Sequence, residues 1–194
     1  MGSSTIISFY EEFPTNVNLN KLKLITWKTK LYLAAPSLKV FNKIVTKIKT
    51  TYTKESSLIT EFVYWPILDN KEGYWISPFS KKSALQRIFS ELKNTNVPVM
   101  LDLELPTTRN PILYFTQLLN FFSNKKRIRK FIKEYKSKIY LVEYYPNGKW
   151  GELFLKTLGI HYNIPNTHII KMFYHSLHNF NKEFFIQEMK RGIK

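Results

Sequence analysis

The chain has 194 residues, of which 44% are hydrophobic and 16% aromatic, with a formal net charge of +16. That is enough apolar material for a substantial core and too much for a disordered polyelectrolyte. The absence of cysteine excludes a disulfide scaffold, thiolate metal ligands and a cysteine nucleophile. No apolar run approaches the ~20 residues of a membrane-spanning helix, and the start of the chain lacks a signal-peptide pattern. A single α/β domain over residues 1–194 in the cytoplasm is the expectation.

In chain order, residues 5–13 alternate as a strand. Residues 22–27 and 30–34 read as a hairpin or one bent strand, closed by Ala35-Pro36. Ser37 is placed to cap a helix with Val40, Phe41, Ile44, Val45 and Ile48 on one face and Lys39, Lys43 and Lys47 on the other. Residues 58–65 form a second strand, and 74–77 a short strand or aromatic loop. Ser80 is the expected cap of a helix carrying Leu85, Ile88, Phe89 and Leu92.

Residues 97–105 give the clearest strand, stopped by Pro106. Two helices, or one broken helix, are expected over 112–122 and 125–135. A strand over 139–144 ends at Pro146-Asn147-Gly148. A short helix over 150–158, a short element over 159–163, a strand over 168–175 and a terminal helix capped by Asn181 complete the chain. Repeated strand-then-helix order argues for a mainly parallel sheet. A small, irregular or incomplete βα (TIM-like) barrel is expected first, because a full eight-stranded barrel needs ~250 residues. An open three-layer α/β sheet is the runner-up.

The scarce acids carry the functional signal. Several fall at or just beyond strand ends, where parallel α/β folds gather ligands. Asp102 and Glu104 are two apart and point to one side of their strand, and Glu143 is expected to reach the same cavity from the next strand. Neighbouring carboxyl groups divide acid and base roles because repulsion separates their proton affinities. A hydrolase acting on a glycosidic substrate would use Glu104 as general acid and Glu143 as base or nucleophile. Asp102 would orient substrate or tune Glu104, and Glu11 is a further candidate partner. Tyr74, Trp75, Tyr144 and Tyr145 would supply stacking surfaces.

No cofactor is required by that chemistry. The same oxygens could instead hold Mg²⁺ or Mn²⁺ for phosphodiester cleavage, with His175 near the end of a late strand as a base. A third reading is non-catalytic nucleic-acid binding through Lys126, Arg129, Lys130 and Lys133. Only five of the thirty basic residues are Arg, which favours general attraction to polyanions over base readout. The partner is therefore a small-molecule or polyanionic substrate. The plain structural alternative is that the strand-end acids pair with Lys or Arg, or accept loop amides. No nucleophile elbow, P-loop or dinucleotide fingerprint is present.

Overall fold

The computed structural model describes residues 7–107, 110–144 and 148–172, together with Glu183, Ile186, Gln187 and Lys190. Six strands lie in one sheet in sequence order: β1 (Phe9–Glu11), β2 (Thr29–Ala35), β3 (Ile59–Pro66), β4 (Val99–Asp102), β5 (Ile139–Tyr144) and β6 (His168–Met172). Every neighbouring pair is parallel. Parallel strands need crossovers of one hand, so a monotonic order sends the connections to one side and leaves the other bare. Strand twist curls the sheet into an open half-barrel, the incomplete βα barrel expected from the element order. A three-layer sheet would require the strand order to reverse, and it does not.

Alternation along the strands sorts the side chains. Leu31, Leu33, Val99, Leu101, Ile139 and Leu141 face the convex side and build the main core with the helices. Tyr32, Ala34, Val63, Trp65, Met100, Tyr140 and Val142 form a smaller cluster on the concave side.

Residues 22–27 are not a strand. The Thr15 side chain accepts from Asn18 N–H at 3.2 Å and starts α1 (Asn16–Leu19), which runs into a 3-10 turn over Asn20–Leu24. Leu19, Leu22 and Ile25 are buried at a helical spacing of three, a pattern that alternating Lys and Leu disguises. Next, α2 (Leu38–Thr51) is capped by Ser37 as expected and buries Phe41 and Ile48. A single turn, α3 (Thr53–Ser56), precedes β3.

The following helix, α4 (Lys82–Leu92), begins two residues beyond Ser80, and the Lys81 side chain at its start makes no capping hydrogen bond. Ser80 instead ties the preceding loop, its Oγ accepting from Ser77 N–H and donating to the Trp75 carbonyl, both at 2.9 Å. That loop contains residues 74–77, which form no strand. β3 and β4 share only the Tyr64–Val99 register pair, and beyond it Ile76 N–H donates to the Asp102 carbonyl at 3.0 Å. The loop thereby wedges β3 and β4 apart at their carboxyl ends.

Residues 112–122 hold only one helical turn, α5 (Leu113–Thr116), and a 3-10 turn before α6 (Phe121–Glu134). Ile128 and Ile132 of α6 enter the convex core. The β5–β6 crossover departs furthest from a regular βα unit. Its helix, α7 (Gly148–Leu158), buries no residue. The convex side is covered chiefly by an extended segment with Ile160, Tyr162 and Ile164 buried, and Leu155 and Leu158 of α7 pack partly against the same core. Gly159 makes this possible: its φ is 71°, and a Cβ there would lie 2.6 Å from Pro78 Cγ. No helix among the described residues is long and apolar enough to cross a membrane.

Candidate active site

A cavity of about 360 Å³ opens on the concave side at the carboxyl ends of the strands, with Glu12, Trp65, Trp75, Asp102, Glu104 and Met172 in its wall. The wedge between β3 and β4 makes room for it. Asp102 follows Met100 on the concave parity of β4, so the strand itself aims the carboxyl inward. It is buried, and its Oδ1 has no hydrogen-bond partner among the described residues. Burial, then the nearby charges of Glu104 and Glu12, push its carboxyl well above the usual carboxylate range.

Glu104, two residues on, keeps the same side and accepts the Tyr144 O–H at 3.3 Å. Burial, followed by the Glu104 charge, raises the Tyr144 hydroxyl and keeps it a donor. Glu12 accepts the Tyr74 O–H at 2.6 Å. Tyr74 holds this position from a left-handed backbone, φ 59°, and packs edge-on against Trp75 with ring centres 5.0 Å apart. Trp65 adds a buried indole N–H without a hydrogen-bond partner among the described residues. The cavity wall thus combines three carboxyl groups and two indole rings, with Asp102 Oδ1 and Trp65 Nε1 buried in it without hydrogen-bond partners among the described residues.

No family model, curated protein or solved structure matches this chain. Its chemistry is read from these side chains alone.

Two expected members of the site lie elsewhere. Glu11 shares the outward parity of Phe9, and its Oε1 accepts from Phe13 N–H at 2.9 Å and from Asn18 Nδ2 at 3.2 Å. It pins the loop after β1, while Glu12, on the parity of Tyr10, enters the cavity. Glu143 shares the parity of Ile139 and Leu141 and faces the convex side, so the expected convergence with Asp102 and Glu104 does not occur. Only 1% of Glu143 is exposed. Its Oε1 accepts from Tyr162 N–H at 2.8 Å, and its Oε2 lies 2.7 Å from His161 Nδ1 in a close contact not angled as an N–H···O bond. Burial pushes the Glu143 carboxyl up to about 7, against the opposing pull of Tyr162 N–H, Lys171 and Lys156. Burial also lowers the His161 imidazole.

Trp75 lines the cavity, Tyr74 and Tyr144 reach its wall through Glu12 and Glu104, and Tyr145 and His175 lie outside the described residues. Lys126, Arg129, Lys130 and Lys133 form the solvent face of α6 on the convex layer, on the opposite side of the sheet from the carboxyl cavity. Among the described residues, no group of three or more His, Asp and Glu side chains is arranged to hold a metal ion.

The amino-terminal end of the concave face carries a different kind of acid. Glu61 accepts from Lys138 Nζ at 2.6 Å and from the Tyr140 O–H, with Lys30 Nζ 3.7 Å away. Burial pushes its carboxyl up, but these bonds and charges outweigh it and hold Glu61 below its ordinary value. Glu61 is a paired structural charge. Asp102 is a buried acid with no ion pair among the described residues.

Proposed function

We propose that the chain is a hydrolase whose concave-face carboxyl groups carry out acid/base chemistry on a neutral, hydroxyl-rich substrate of the glycosidic class. The observation that carries this reading is Asp102: buried, without a hydrogen-bond partner for Oδ1 among the described residues, and beside two other carboxyl groups in one cavity. A carboxyl whose burial and neighbouring charges strengthen its hold on the proton is suited to donate it to a leaving-group oxygen. The roles therefore shift from those expected from sequence. Asp102 is the general acid. Glu104, steadied by Tyr144, is the base or nucleophile, and Glu12 orients the substrate.

The indole rings of Trp65 and Trp75 suit the apolar faces of a sugar. Three carboxyl groups in one wall suit a neutral substrate better than a phosphate ester. The phosphodiester alternative needs an added divalent cation to reverse that balance.

The test is turnover of a panel of chromogenic aryl glycosides, with and without Mg²⁺ or Mn²⁺. Glu104→Gln is expected to lower the rate on the accepted glycoside by roughly 10²–10⁴-fold. Unchanged turnover by that variant would remove Glu104 from the mechanism. Cation-dependent cleavage of an aryl phosphodiester, with none of any glycoside, would replace the glycosidic reading.

A further inference from the structure

The connection after β4 exposes an unusual amount of apolar surface. Phe115 is 82% exposed, Leu119 96% and Phe122 79%, with Ile112 and Leu118 also open. Ile112 caps α5, Phe115 lies in it, Leu118 and Leu119 lie in the 3-10 turn and Phe122 in the first residues of α6. Exposed apolar surface concentrated in so short a stretch marks an interaction site rather than ordinary surface scatter. A second apolar face lies on α7, where Trp150, Leu153 and Phe154 are exposed at helical spacing. The two flank the same end of α6, because Lys125 Nζ donates to the Lys156 and Thr157 carbonyls at the end of α7, at 2.7 and 3.0 Å.

Charge identifies the occupant. No Asp or Glu occurs between Glu104 and Glu134, and Lys125, Lys126, Arg127, Arg129, Lys130 and Lys133 follow directly on the apolar stretch. Phe122, Lys126, Arg129 and Lys133 fall at i, i+4, i+7 and i+11 and share one stripe of α6. At about 1.5 Å per residue, Lys126 and Arg129 lie roughly 6 and 10 Å along the helix from Phe122, a distance comparable to the headgroup layer. We propose that this surface docks on an anionic lipid bilayer, with Phe115, Leu119, Phe122 and the exposed face of α7 at the acyl boundary. The α6 cations then lie among the lipid phosphates. A second copy of the chain fits the surface poorly, because a self-complementary contact would bring the α6 cations against themselves, and Glu134 and Glu152, the acids of α6 and α7, are each paired with a lysine of their own helix.

Co-sedimentation with vesicles of phosphatidylcholine, alone or mixed with phosphatidylglycerol, tests the assignment. The full chain is expected to bind the anionic vesicles, to prefer them over neutral ones and to release with added salt. The double variant Phe115→Ser, Leu119→Ser changes two open side chains, and should weaken binding about tenfold or more while keeping the native circular dichroism. Lys126→Glu with Arg129→Glu should abolish the preference for anionic vesicles. Absence of vesicle binding, or equal binding by wild type and the Phe115/Leu119 variant, overturns the proposal. So does sedimentation showing a wild-type dimer that this variant converts to monomer without any vesicle binding.

Discussion

Glu143 Oε2 stands 2.7 Å from His161 Nδ1 on the convex side of the sheet, whereas Asp102 on the adjacent strand turns into the concave cavity. The pair has its own titration. A Glu143 carboxyl raised to about 7 binds a proton in the folded chain that the unfolded chain releases near its ordinary value of 4.5. Its stabilising contribution is present at low pH and is lost as pH rises through about 7. The lowered His161 works in the opposite sense below its ordinary value of 6.5, so the net decline is concentrated above that point. Urea unfolding from pH 5 to 8 should show wild type losing stability relative to Glu143→Gln, by on the order of 3 kcal/mol at most.

Asp102→Asn is expected to separate stability from activity. The carboxyl is raised well above its ordinary value, so ionising it at higher pH destabilises the fold, and an amide of the same shape escapes that cost. Thermal unfolding at pH 8 should show the variant at least as stable as wild type, with any gain vanishing under acidic conditions.

Glu61→Gln should behave oppositely. A carboxyl held low by Lys138 and Tyr140 stabilises the fold above its unfolded value and loses that contribution as pH falls through its lowered folded value. Replacement is expected to cost about 1–3 kcal/mol at pH 7, and to flatten the wild-type decline on acidification. Denaturation midpoints at pH 7 and pH 3 check both parts.

The extended β5–β6 crossover predicts a contrast between neighbours in sequence. Ile160 is fully buried in the convex core, and Trp150 is 84% exposed on α7. Ile160→Ala should cost roughly 2–5 kcal/mol, whereas Trp150→Ala should stay within about 0.5 kcal/mol. Equal effects in urea titrations would mean that α7, rather than the extended segment, covers the sheet.

The parallel sheet was legible because alternating segments such as 97–105, of which Val99–Asp102 is strand, and 139–144 are each followed by helical spacing. Asp102 and Glu104 were legible from the same alternation, since a period of two fixes one face. The alternation also grouped Glu12 with Tyr10 and Glu143 with Leu141. What it lacks is the direction of curl, which decides whether a parity looks into the cavity or into the core. The short helices over residues 16–24 were hidden because Lys and Leu alternate there, while burial follows Leu19, Leu22 and Ile25. The wedge made by residues 74–77 depends on backbone bonds to Asp102, which no side-chain pattern encodes.

The central claim is that the concave carboxyl groups, and not the convex Glu143, carry the chemistry. Its most direct test compares Asp102→Asn with Glu143→Gln on the glycoside that wild type turns over fastest, each variant first shown to be folded. The account predicts a loss of about 10²-fold or more for Asp102→Asn and a rate within about threefold of wild type for Glu143→Gln. Full activity in Asp102→Asn, or abolished turnover in folded Glu143→Gln, would contradict it.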